Sequence, residues 1–121
     1  MPKTILVVDD EDVVVDITCR KLTQEGYFAI PARDGEQAVR ALQEGTVDLI
    51  LLDVEMPRMN GYAFLNERKK IPGAEEIPVI VLTAYDSMEP IFRRNQVRDY
   101  LTKPLRFQEV LKRVKEVIGD P

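Results

Sequence analysis

Carboxylates, a hydroxyl and an amine stand directly after apolar runs in this chain. Asp9 and Asp10 follow Ile5-Leu6-Val7-Val8, Asp53 follows Leu49-Ile50-Leu51-Leu52, Thr83 closes Ile77-Pro78-Val79-Ile80-Val81-Leu82, and Lys103 follows Tyr100-Leu101-Thr102. The sequence holds no histidine and a single cysteine, Cys19. That removes the commonest general base and the commonest zinc ligand, and any role as a phosphohistidine carrier. Three carboxylates brought together repel one another, and so hold either protons or a cation. Magnesium suits such a set, because it takes oxygen ligands, keeps several waters, and is typically bound by one or two carboxylates plus phosphate oxygens. An ion held by Asp10 and Asp53, supported through Asp9 or its water, leaves positions open for a phosphoryl group. Lys103 then supplies a mobile positive charge and Thr83 a hydroxyl for the phosphoryl oxygens. Phosphoryl transfer asks a protein mainly to position groups and neutralise charge, and this set does both. With no serine beside a base and Cys19 remote, the nucleophile of such a patch is a carboxylate, and Asp53 is the best placed. The competing reading is a set of helix caps and strand-end acids that merely share an edge; it leaves Lys103 and Thr83 unexplained.

For those residues to meet, the runs before them must be neighbouring parallel strands. Lys3–Asp9 reads as a buried strand, followed by an acidic turn able to cap the next helix. Val13–Glu25 is predicted helical with Val14, Ile17 and Leu22 inward and Gly26 as its stop. Tyr27–Ile30 reads as a short strand, and Pro31 after it suits a sheet edge. Glu36–Glu44 is a second helix with Ala38, Ala41 and Leu42 inward, closed by Gly45. The apolar run from Val47 ends at Asp53 as a strand buried on both faces. Asn60-Gly61 opens a third helix through Phe64, Leu65 and Lys69, and Ile77–Thr83 is the fourth strand. Ser87 caps a short helix with Pro90 in its first turn, Val97–Thr102 is the fifth strand, and Phe107–Ile118 is the clearest amphipathic helix. Strands alternating with helices through short connections imply a parallel sheet covered on both faces, whose carboxyl ends share one edge, where ligands of open α/β sheets bind.

The 121 residues suffice for one compact core, so residues 1–121 are expected to be a single domain. A net charge of −4 argues against direct nucleic-acid binding, and the one local basic cluster, Arg93-Arg94 with Arg98, reads as a solvated face. No apolar run approaches the roughly 18 residues of a membrane span, and no signal peptide is apparent, so a cytoplasmic protein is expected. One cysteine excludes an internal disulfide, and Cys19 within a helix reads as a packing residue.

Taken in order, Asp9-Asp10, Asp53 with Met56-Pro57 and Gly61, Thr83-Ala84, and Tyr100 with Lys103-Pro104 resemble the response regulator receiver domains of two-component signalling, over essentially the whole chain. The resemblance implies a flavodoxin-like α/β fold with five parallel strands in the order 2-1-3-4-5. It implies that Asp53 is the phosphoacceptor, that Asp10 binds Mg2+ directly, that Asp9 holds the metal's water, and that the backbone carbonyl of Glu55 completes the protein ligands. Thr83 would move onto the phosphoryl group, Lys103 would pair with it, and Tyr100 would be the switch aromatic that turns inward. The Lys103-Pro104 bond would be cis. The donor would be a phosphohistidine on a histidine kinase or histidine phosphotransfer protein. The chain would then be a signalling domain that assists its own phosphorylation and dephosphorylation, rather than an enzyme. Its shifted surface would control an output partner or output domain, with a homodimer on phosphorylation among the modes the family allows.

Two features depart from that pattern. The stretch from Thr83 to Lys103 is shorter than the family usually spends, and Gln96-Val97 replaces its usual Gly-Ala, so the fourth helix is expected to be short or distorted. Glu55 also places an acid two residues past the nucleophile, near the path of an attacking water. Two other functions fit parts of the pattern: a small phosphatase with an aspartate nucleophile, suggested by Asp53-Val54-Glu55, and a receiver-like adaptor that works without phosphorylation.

Overall fold

The computed structural model describes residues 2–53, 55–56, 59–83, 98–102 and 106–121, with backbone alone for 55–56, 59–62 and 99. The apolar runs form β1 (Thr4–Val8), β2 (Phe28–Ala32), β3 (Leu49–Asp53), β4 (Val79–Thr83) and β5 (Asp99–Thr102). They pair in parallel in the order β2-β1-β3-β4-β5, as the sequence implied. Between and after them lie the helices α1 (Asp12–Gln24), α2 (Gly35–Glu44), α3 (Gly61–Arg68) and α4 (Phe107–Ile118). The helix expected after Ser87, its shortening, Gln96-Val97 and the Lys103-Pro104 bond all lie outside the described residues.

Side chains alternate across a strand, and that alternation builds two cores. Ile5, Val7, Leu49, Leu51 and Ile80 face Leu22 of α1 and Val110 and Val114 of α4. Leu6, Val8, Ile50, Leu52, Val79 and Val81 face Ala38 and Leu42 of α2 and Phe64 and Leu65 of α3. Every residue of β3 is buried, as expected of the central strand of a sheet covered on both faces. Among the described residues no helix is long and apolar enough to cross a membrane.

Several expectations need correction. On α1 the buried positions are Val15 and Leu22, whereas Val14 and Ile17 keep 38% and 44% of their surface exposed. Those two turn toward α4 and line an open groove with Lys21, Phe107 and Val110, where the Lys21 ammonium sits 5.4 Å from the Phe107 ring centre. Pro31 lies inside β2 rather than after it, tolerated because β2 is an edge strand. The acidic turn does not cap α1 from its N-cap side chain, since Glu11 makes no such bond. Instead, the Glu11 amide donates to Asp9 Oδ1 at 3.0 Å. Two short elements have no counterpart in the sequence reading: an antiparallel ribbon pairing Glu55–Met56 with Met59–Asn60, and a 3-10 turn at Ala74–Glu76.

Gly26 ends α1 with φ +100°, and a Cβ there would stand 2.9 Å from the ring of Pro121, so glycine is required twice over. Beside it the Tyr27 hydroxyl donates to the Gly119 carbonyl at 2.7 Å, and the Lys3 ammonium donates to that of Ile118. These bonds fasten the last turn of α4 to the sheet.

Arg68 is fully buried at the end of α3, and its Nη2 donates to the carbonyls of Glu75 (3.1 Å) and Ile77 (3.4 Å). Burial pushes its guanidinium below the usual range. It ties α3 to the turn that feeds β4, and removing it would both open a cavity and strand carbonyl acceptors. Arg68→Ala is expected to lower unfolding stability by about 3 kcal/mol, and the volume-preserving Arg68→Met by less. Urea denaturation checks this; an Arg68→Ala midpoint equal to wild type would contradict it.

Candidate functional site

A parallel sheet sends all its carboxyl ends to one edge, and here that edge carries the acids. Val8 pairs with Leu52 across β1 and β3, so Asp9 and Asp53, the next residue of each strand, leave the sheet side by side. Asp53 pairs onward with Leu82, which puts Thr83 one step past it on β4. Thr83 in turn pairs with Thr102 of β5, the last described residue before Lys103. Asp9 is 5% exposed, Asp53 3% and Thr83 0%, and with Arg68 they are the buried polar residues of the described chain. Asp10 is half-buried beside them.

The acidic loop is held by its own backbone. The Asp9 amide donates to the Ala32 carbonyl of β2 at 3.1 Å, and Asp9 Oδ1 accepts the Glu11 amide. Among the described residues no three acidic or thiol side chains stand close enough to form a ready metal cage. The donor set still fits magnesium, which needs only one or two carboxylates and fills its other positions with water and phosphate oxygens. Asp9, Asp10 and Asp53 offer hard oxygen donors at adjacent strand ends. The ribbon that pairs Glu55–Met56 with Met59–Asn60 begins two residues past Asp53. Lys103, with its side chain, lies outside the described residues.

Thr83 and Tyr100 share a sheet face. Val81 is opposite Tyr100 and Thr83 opposite Thr102, so alternation sends Thr83 and Tyr100 to the same side, one residue pair apart along the strands. Tyr100 is half-buried there, against the core under α2 and α3. Cys19 is half-buried; burial first, then the neighbouring Asp16, pushes its thiol up, away from the thiolate a nucleophile needs.

One feature of this edge was missed in the sequence. Arg33, directly after β2, forks onto α1: its Nε pairs with Asp12, and its Nη2 with Asp16 at 2.9 Å. The available signal was an acid pair at helical i, i+4 spacing just past the Asp9-Asp10 turn, which like-charge repulsion disfavours unless a cation sits between.

The family model described as the response regulator receiver domain matches residues 5–115. The chain is 37% identical over 120 residues to the phosphate regulon transcriptional regulatory protein PhoB of Escherichia coli, covering 98% of this chain and 52% of PhoB. It therefore spans about half the length of that relative. Among solved structures, the receiver domain of sensor histidine kinase PA1611 from Pseudomonas aeruginosa, with a magnesium ion coordinated in its active site cleft, matches with a TM-score of 0.81 and 30% identity, over 99% of this chain and 100% of that one. Response regulator protein TrrA from Thermotoga maritima, in complex with Mg2+-BeF, matches with a TM-score of 0.80 and 33% identity, over 95% and 98% of the two chains. With the family match running from the first strand into the last helix, this chain belongs to the response regulator receiver domains of two-component signalling.

Proposed function

We propose that residues 1–121 act as one cytoplasmic receiver domain, a switch operated by magnesium-dependent phosphorylation of Asp53. The observation that carries this reading is the position of Asp53: an acid 3% exposed at the end of the central strand, with Asp9 leaving the neighbouring strand beside it and Thr83 one step past it on the other side. Asp10 and Asp53, with the Glu55 carbonyl, would hold Mg2+, and Asp9 would hold one of its waters. When bound, the ion supplies positive charge that lets an anionic phosphoryl group approach three acids. The magnesium in the receiver domain of PA1611 and in TrrA supports a magnesium site here.

In the forward step an Asp53 carboxylate oxygen attacks phosphorus, the phosphorus–nitrogen bond of a phosphohistidine breaks, and the departing imidazole takes up a proton. In the reverse direction of the switch, water attacks the same phosphorus, restores the Asp53 carboxylate and releases inorganic phosphate. Lys103 would pair with the phosphoryl oxygens in both. Thr83 would donate its hydroxyl to one of them, and Tyr100, on the same sheet face, would follow it inward. That movement gives two surfaces of different affinity for an output partner or output domain, which is what a switch requires. A histidine kinase or histidine phosphotransfer protein is the donor this chemistry calls for, and dimerisation on phosphorylation is one way the changed surface could be read.

Two outcomes test this reading. With a small phosphodonor and Mg2+, intact-mass measurement should show the gain of one phosphoryl group, abolished by a chelator and by Asp53→Asn; labelling of Asp53→Asn at the wild-type level would contradict it. Thr83→Val keeps the shape and loses the hydroxyl, so phosphorylation should persist at a rate lower by about tenfold, the worth of one hydrogen bond to a charged group. The ring resonances of Tyr100 should then no longer shift on phosphorylation. A Thr83→Val protein whose Tyr100 responds as in wild type would show the two residues to be uncoupled.

A further inference from the structure

The acid-rich edge carries more charge than the metal site alone requires. Beyond Asp9, Asp10 and Asp53, α1 opens with Asp12 and continues with Asp16 one turn later. The loop and the first turns of α1 thus carry five carboxylates, Asp9, Asp10, Glu11, Asp12 and Asp16, which would attract a divalent cation strongly and repel an anionic phosphodonor. Arg33 pairs with two of these acids, Asp12 and Asp16.

Its placement is fixed from both sides. The residue before it, Ala32, accepts the Asp9 amide, so the start of the β2–α2 loop is bonded to the acidic loop itself. The Arg33 amide donates to Gln37 Oε1 at 2.9 Å, while Asp34 caps α2 by accepting the Gln37 amide at 2.7 Å. The guanidinium therefore leaves a pinned backbone and reaches across to α1. The side chain of Asp12 is 75% exposed and that of Asp16 59%, so the pairs add little to folding stability. Their effect is on the local field, which reaches as far as a Debye length allows.

We infer that Arg33 sets how tightly the acidic edge holds Mg2+: paired with Asp12 and Asp16, its charge offsets part of the negative field at Asp10. This rests on the reading of Asp9, Asp10 and Asp53 as the metal site. Arg33 touches neither metal nor phosphoryl group; it acts through the charge of its neighbours.

Calorimetric titration of the full chain with Mg2+ alone tests this. Arg33→Gln should bind Mg2+ on the order of two- to fivefold more tightly than wild type at low ionic strength, the effect of removing one nearby cation. That difference should vanish in concentrated salt. Arg33→Lys, which keeps the charge without the fork, should stay near wild type, and Asp16→Asn should bind more weakly. Equal or weaker binding by Arg33→Gln at low salt, or a shift in Arg33→Lys as large as in Arg33→Gln, overturns the inference while leaving the metal site intact. Absence of Mg2+ binding by the wild-type chain overturns the metal site and the inference together.

Discussion

A carboxylate held almost out of water is the constraint on which this structure turns. Asp53 ends a strand whose every residue is buried, and an ionised group in that setting is tolerated only with compensating charge or hydrogen bonds around it. The parallel sheet makes the position unavoidable, since each strand must deliver its carboxyl end to the same edge. The register of β1, β3 and β4 brings Asp9, a second carboxylate, to one side of it and the Thr83 hydroxyl to the other, so the compensating charge must come from a cation. An edge so acidic suits a cation and, through it, a phosphoryl group.

The rest of the fold can be understood as support for that edge. Alternation along β4 and β5 places Thr83 and Tyr100 on one face. Arg68 anchors the turn that feeds β4, holding the strand that carries Thr83. Tyr27 and Lys3 hold the end of α4 at the opposite edge. Arg33 fastens the first turns of α1, next to the acidic loop, to the end of β2.

Much of this was legible in the sequence for a simple physical reason. Strands buried on both faces must be continuous apolar runs, so Ile5–Val8, Leu49–Leu52 and Val79–Leu82 announce themselves, and the acids after them mark the edge. Helical faces were less readable. Periodicity on α1 shows that Val14 and Ile17 belong to an apolar stripe, but not that the stripe faces an open groove beside α4 instead of the core. Pro31 reads as a terminator, yet an edge strand has no second partner for the missing amide, and β2 continues through it. Arg68 was invisible for a related reason: a basic residue in a helix carries no local mark of burial, and its partners come from another element; Arg33 was marked only indirectly, by the Asp12 and Asp16 pair it bridges. The ribbon at Glu55–Asn60 depends on two-residue pairing that no periodicity encodes.

The most direct measurement of the central claim is chemical mapping of the acyl phosphate. The chain, phosphorylated with a small donor in Mg2+, is reduced with borohydride, which converts the modified aspartate to homoserine, and its peptides are sequenced by mass spectrometry. The account predicts homoserine at position 53 and at no other acid. Homoserine at position 9 or 10, or spread over several carboxylates, would contradict it.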